Sequence, residues 1–362
     1  MPKQENRKPV AQNTAPTMSP DYSKISHTSL RVVEYVLPKM TAYLKSIQPR
    51  LAALPAAEPF IIAEYGSADG ANSGPLFEKV VQQIHAANPA LKIKLVYVDL
   101  AEQDAFNKFW AQSPLSKLPY VSAEYVRRSF YDSFPELAGK VGLGYCSTAL
   151  HWLNVKTAAP GFFKHIDAIH PNQLSHAERE KFHQKWAADF QLFLGEANAA
   201  LLPGAALFVA QLIDLGGDNW PASAAYNNLR DICLEMREEG QLTREEAAAV
   251  FVRSFFPTPT QVKSVLGEPA AKKLFALKSS ESTTIPCSYY TKSQDNLADP
   301  QEKAWLAATL SCVVRAWSES SVRIGLDNKD LRDEIYNRLR SKFYDKPRGL
   351  HYQYCFLELL KS

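Results

Sequence analysis

The stretch FIIAEYGSADGANSG, residues 60–74, is an apolar run that ends on an acid and then breaks into small residues. It reads as a buried strand running into a turn. In an open α/β sheet ligands bind beyond the carboxyl ends of the strands, so Glu64, Gly66, Asp69 and Gly70 stand where a small molecule lies. The segment PLFEKVVQQIHAAN follows, with Leu76, Val80, Val81 and Ile84 on one helical face. A second strand, KIKLVYVDL, comes next, and its continuous apolar character suits a strand buried on both sides of a parallel sheet. A β-α-β unit therefore opens the core.

Working outward, Leu30, Val33, Leu37, Met40, Leu44 and Ile47 recur at steps of three and four, an apolar stripe along an N-terminal helix. Downstream, Ser175 and Glu178 form a capping box for a long helix with a buried stripe of Phe182, Trp186, Phe190, Phe193, Ala197 and Leu201. That helix is expected to stop at Pro203-Gly204, where the strand AALFVAQLI begins. Between Leu215 and Leu326 the pattern changes to helices and polar loops, among them the Ser/Thr-rich KSSESTTIP and a helix aligning Leu306, Leu310, Val313 and Trp317. A last helix (Leu331, Ile335, Leu339, Phe343) leads to the strand LHYQYCFLELL. Strands bracketing a helical insert argue for one sheet-based core with a cap.

Composition narrows the function. The 362 residues are 46% hydrophobic with a net charge of +3, which suits a soluble globular protein and offers no basic footprint for nucleic acid. Five scattered cysteines without a C-x-x-C pair indicate neither a disulfide framework nor a zinc site, and point to a reducing, cytoplasmic compartment. No apolar run reaches the roughly 18 residues that span a bilayer. The first residues lack the apolar core of a signal peptide and read as disordered.

Two acids, Glu64 and Asp99, end the first two strands. An acid at the end of the second strand is placed to accept from both ribose hydroxyls of a nucleotide. The glycines of EYGSADG lie four apart with Asp69 between them, so the turn is no dinucleotide fingerprint. A negative charge there suits a cationic ligand, and an adenosyl sulfonium fits better than NAD. A packing glycine beside surface acids is the alternative reading of this segment.

Seven segments carry a resemblance in order: DYSKISHTSL, AEYGSADGANS, VDLAEQDAFNKF, SFYDSFP, CSTALHWLN, SFFPTPTQV and CVVRAWSES. Together they resemble the motifs of the SABATH methyltransferases, the S-adenosylmethionine-dependent family of salicylate, benzoate and jasmonate carboxyl methyltransferases and of theobromine and caffeine synthases. The resemblance implies an α/β fold with a Rossmann-like class I methyltransferase sheet and an α-helical cap inserted before the last helix and strand. It divides the chain into a disordered start (1–19), a helical lid (20–50), a cofactor-binding core (51–215), a helical substrate cap (216–330) and a closing helix and strand (331–362).

Carried across, the resemblance implies an S-adenosylmethionine site from Tyr22, Ser26, Glu64, Gly66, Asn72, Asp99, Leu100, Ser129 and Phe130. Asp99 would hold the ribose, Leu100 and Phe130 sandwich the adenine, and Ser129 bond its edge; Leu100 and Phe130 also suit a plain core and Ser129 a turn. The acceptor pocket maps to Thr148, His151, Trp152, Tyr226, Phe255, Val314 and Trp317. Two positions depart from the carboxylate-methylating members: Ser29 stands where they place a glutamine, and Thr148 where many have a tyrosine. Trp152 is retained, and its donor-only indole can hold a carboxylate oxygen, with His151 beside it as a second positioning group. The metal-binding asparagine of some members has no counterpart, so no metal is assigned.

A carboxylic acid of ordinary pKa is already ionised near pH 7, so its methylation needs no general base. The leading expectation is O-methylation of a small carboxylic acid to its methyl ester. N- or O-methylation of a heterocycle or phenol is the alternative, and a cofactor-binding protein without turnover is a third reading. The family resemblance alone implies a homodimer.

Overall fold

The computed structural model describes residue 18, residues 22–25 and residues 27–362; the side chains of Tyr22, Lys24, Thr28 and Ser29 are outside the description. The expected disordered start, apart from Met18, therefore lies outside the described residues, as does Ser26.

Seven strands form one sheet: β1 (Phe60–Tyr65), β2 (Ile93–Asp99), β3 (Val121–Arg127), β4 (Val141–Ser147), β5 (Leu201–Leu212), β6 (Phe275–Ile285) and β7 (Tyr352–Lys361). The spatial order is β3-β2-β1-β4-β5-β7-β6. β7 runs antiparallel to both of its neighbours, whereas β1 to β5 are mutually parallel. The order reverses between β1 and β4, which opens a crevice beyond their carboxyl ends. This is the sheet that the resemblance implied.

Every residue of β1 is buried, and its side chains alternate between two apolar layers. Phe60 and Ile62 join the helices α1 (Val32–Ser46) and α2 (Gly74–Ala87), whereas Ile61, Ala63 and Tyr65 face α3 (His176–Ala200). The capping box of Ser175 and Glu178 starts α3 as expected. Its stripe of Phe182, Trp186, Phe190 and Phe193 is buried against the sheet, each side chain contributing roughly 1.5–3 kcal/mol of transfer free energy. Two further helices, α5 (Pro300–Gly325) and α6 (Lys329–Asp345), pack on each other and on α4 (Ser223–Glu238).

Three expectations change. The N-terminal stripe is rotated: Val32, Val36, Met40, Tyr43 and Leu44 are buried, while Leu30 is exposed and Val33 turns toward the central cleft. Pro203-Gly204 does not stop α3, which ends at Ala200; the pair sits in a bulge of β5, where the register against β4 jumps from Leu201 to Ala206. Finally, the polar KSSESTTIP is no loop of a helical cap. It forms most of β6, an edge strand whose Ser and Thr are half-buried or exposed, so the 216–330 insert is divided by a strand of the sheet.

Candidate active site

A continuous cleft opens at the switch point, bordered by the segments that follow β1, β2 and β4. Its first wall is the turn after β1. Gly66 has φ +80°, and a Cβ there would lie 2.3 Å from the Cβ of Ala149, so only glycine lets the turn approach the β4 segment. Glu64 is buried and accepts from the Ser73 hydroxyl at 2.6 Å. Burial pushes its carboxyl up to about 8, with Asp99 and Asp69 adding to the rise and Ser73 opposing it.

Asp99 at the end of β2 ties the neighbouring turns together. Its Oδ1 accepts from the amides of Leu100 at 2.7 Å and Ala101 at 2.9 Å, and its Oδ2 from that of Ala68 at 2.8 Å. Desolvation raises this carboxyl, offset by the three amide donors. Asn72, Leu100, Ser129 and Phe130 line the same side of the cleft. So does Ser67, a residue not singled out from sequence, whose buried hydroxyl has no partner among the described residues. Asp69, read from sequence as a charge offered to the ligand, instead accepts from the Ser23 hydroxyl and is absent from the wall.

The second wall follows β4. Thr148 has φ +54°, a strained position for a β-branched residue, and its hydroxyl lies 3.1 Å from that of Tyr354. The next residues are stitched to a neighbouring strand-like segment: Trp152 bridges Ser254, Leu153 N–H donates to the Arg253 carbonyl at 3.0 Å, and Phe255 N–H donates to the His151 carbonyl at 2.8 Å. That pairing holds the segment against the cleft. His151 and Trp152 line the cleft, with ring centroids 4.9 Å apart. Burial pushes the His151 imidazole down to about 3, and its Nδ1 has no partner among the described residues.

Across the pairing, Phe255 and Phe256 fall on opposite sides of their segment. Phe255 is fully buried against Trp186 and His183, away from the cleft, and Phe256 takes the cleft-facing place. Val314 is likewise buried without lining the cleft, whereas Tyr226 and Trp317 line it. Thr148, Tyr226 and Trp317 therefore stand where expected, and Phe255 and Val314 do not. The side chains of Tyr22 and Ser29, with all of Ser26, lie outside the described residues. Among the described residues no three His, Cys, Asp or Glu side chains gather as metal ligands.

A doubly wound sheet of this order, with strand-end acids lining the crevice at its switch point, defines the fold of the class I methyltransferases. The sequence matches the model of the family described as SAM dependent carboxyl methyltransferase over residues 17–359, and the chain belongs to that family. S-adenosylmethionine is its cofactor. The chain is similar to Methyltransferase FUS9 of Gibberella fujikuroi, 27% identical over 220 residues that cover 57% of this chain and 56% of that one. The match thus spans about half the length of this curated relative. Among solved structures, a loganic acid methyltransferase with SAH superposes with a TM-score of 0.74 at 17% identity, covering 95% of this chain and 97% of that one. At that identity the likeness speaks for the fold. No described helix is long and apolar enough to cross a membrane.

Proposed function

We propose that this protein transfers the methyl group of S-adenosylmethionine to the carboxylate of a small organic acid, giving its methyl ester. One observation carries the reading: the acid-lined crevice and an aromatic cavity holding Trp152 and neutral His151 are parts of one continuous cleft. The cofactor end fits a cationic adenosyl ligand. Glu64 regains its charge beside a cation, the unpartnered Ser67 hydroxyl gains a bond, and Asp99 is oriented by three amides toward ribose hydroxyls. Leu100 and Phe130 offer apolar faces to an adenine and Ser129 a polar edge. Tyr22 and Ser26 complete this set by resemblance alone.

When bound, the cofactor supplies an electrophilic methyl on a sulfonium. The chain's own part is to hold and dry the acceptor. Trp152 donates from an indole that cannot compete for a proton, and His151, held neutral by burial, is placed to donate to the second oxygen. Tyr226, Phe256 and Trp317 exclude water, which strengthens every polar contact inside. We further read 20–50 as a lid, 51–215 as the cofactor core, and the insert around β6 as the acceptor cap. A cytoplasmic homodimer is proposed too; the five unpaired cysteines suit a reducing compartment, and the dimer rests on resemblance.

The test is incubation of the purified protein with methyl-labelled cofactor and separate panels of carboxylic acids, phenols and N-heterocycles. Label in base-labile methyl esters is expected. Label confined to phenols or ring nitrogens overturns the carboxylate reading.

A further inference from the structure

Trp152 belongs to a segment that α3 holds on both flanks. The Trp186 indole donates to the Leu150 carbonyl at 3.1 Å, Asp189 Oδ2 accepts from the Asn154 amide at 2.9 Å, and Lys185 Nζ donates to the Thr157 hydroxyl at 2.9 Å. Lys185 and Asp189 are paired with each other and largely buried, so these clips are firm. All of them fall to either side of Trp152. The carbonyl of Trp152 itself has a different partner: it accepts from the Tyr131 hydroxyl at 2.7 Å.

Tyr131 comes from the cofactor side. It follows Ser129 and Phe130, the pair that offers an adenine its polar edge and apolar face, in the turn after β3. That turn is compact: the Tyr131 amide donates to the Ser129 hydroxyl at 3.2 Å, the Asp132 amide to the Ser129 carbonyl at 2.9 Å, and the rings of Phe130 and Tyr131 stand 4.5 Å apart. Tyr131 is buried, and burial pushes its phenol well above the ordinary value, so it stays protonated and donates. A second tie joins the same two segments, since Lys156 Nζ meets the Asp132 carboxylate at 2.8 and 2.9 Å. That pair is open to water, where ion pairs contribute little. The buried Tyr131 bond is therefore the stronger link.

We propose that Tyr131 is a positioning residue that couples the two halves of the cleft: an adenine seated on Ser129 and Phe130 steadies Tyr131, and the Tyr131 hydroxyl in turn steadies the backbone of Trp152. The proposal rests on the adenine placement in the reading above and is independent of which acceptor atom is methylated. In-line transfer needs the acceptor's anchor held in fixed relation to the methyl donor, and a misplacement of about 1 Å can cost about a hundredfold in rate. One hydroxyl here reaches from the turn that receives the donor's base to the backbone that carries the anchor. Such coupling is reciprocal, so a ligand held at Trp152 tightens the cofactor by the factor that the cofactor tightens it.

Amide hydrogen exchange on the whole chain, with and without saturating S-adenosylhomocysteine, tests this without any acceptor. In wild type the ligand is expected to slow exchange at 129–134 and, through Tyr131, by about three- to tenfold at 150–157, the worth of one hydrogen bond. Tyr131→Phe keeps the ring and removes the hydroxyl. It should retain the slowing at 129–134 and lose it at 150–157, whereas Lys156→Ala should retain both. Slowing at 150–157 that survives undiminished in Tyr131→Phe overturns the proposal, as does its loss in Lys156→Ala alone, which would assign the tie to the ion pair. Its absence from wild type overturns the proposal too, a result that needs no variant. If the ligand binds wild type yet leaves 129–134 unslowed, the adenine placement falls together with the proposal; slowing at 129–134 alone removes the coupling and leaves that placement standing.

Discussion

Glu64 accepts the Ser73 hydroxyl at 2.6 Å inside a wall that also contains Asp99, so two carboxyls share one poorly solvated crevice. Burial first, then Asp99 and Asp69, lift Glu64 to about 8; Tyr97 and Tyr145, which also face it, stay neutral because burial raises them too. The native free protein therefore holds a proton that an unfolded chain, with an ordinary value of 4.5, releases. The contribution of Glu64 to stability is full below 4.5 and declines as pH rises toward 8. A cationic ligand reverses that balance, since it favours the carboxylate. Cofactor affinity should rise with pH, by at most about tenfold per unit, and level off above 8. Calorimetry of wild type and Glu64→Gln from pH 6 to 9 checks this, with the slope expected to vanish in the variant. An equal slope in both proteins removes Glu64 from the cofactor site.

Asp99 accepts three backbone amides, so its removal frees the turns it ties and, in the proposed site, also empties a ribose contact. Asp99→Ala should lose a charge-assisted bond of about 1.5–3 kcal/mol, weakening S-adenosylmethionine binding by at least tenfold. Asp99→Asn keeps one acceptor oxygen and should fall between the two. Unchanged affinity in the alanine variant would falsify the ribose assignment.

Adjacent phenylalanines should behave as different kinds of residue. Phe255 is packed against Trp186 behind the cleft wall, so Phe255→Ala should destabilise the fold by about 3–5 kcal/mol in denaturant unfolding and leave the ranking of acceptors alone. Phe256 faces the cleft, so Phe256→Ala should reorder acceptors toward bulkier ones. A reordering in Phe255→Ala, with none in Phe256→Ala, would reverse the assignment made from the Trp152–Ser254 pairing.

How far the sequence could be read follows from where its signals are local. The β1 turn, β2 and the stripe of α3 were legible because each announces itself within a dozen residues. β4 was not: its run VGLGYCS is broken by glycines, and Gly142 is there because a Cβ would come within 2.3 Å of the Phe60 ring. That reason exists only in three dimensions. β6 escaped because an antiparallel edge strand open to solvent needs no apolar alternation. In the site, motif matching placed Trp152, Tyr226 and Trp317 in the cleft but took Phe255 for Phe256 and included Val314. A shift of one residue reverses the face of an extended segment, and spacing alone does not reveal which face is inward. The unpartnered nitrogens of His151 and Trp317 left no trace in the sequence at all, since partnership is a property of the folded surroundings.

Trp152 carries the remaining prediction. Its backbone is clamped by Ser254 and its neighbours, so the indole is presented to the cleft by a rigid segment and can serve as a fixed donor. If Ser29 occupies the glutamine position that the resemblance implies, the donor-only indole is the main anchor for a carboxylate. Trp152→Phe keeps the aromatic wall and removes the N–H. If the acceptor is a carboxylate, kcat/KM should drop by roughly tenfold or more, matching the loss of a hydrogen bond to a charged oxygen, while cofactor affinity stays within about twofold. Ser29→Gln should add a further donor and improve small aromatic acids at the expense of larger ones, because specificity is a difference of affinities and added bulk costs the larger ligand space. Steady-state kinetics across a size series of acids measures both effects. A Trp152→Phe variant that turns over every carboxylic acid as well as wild type moves the reaction to a phenol oxygen or a ring nitrogen, where a donor at this position has nothing to hold.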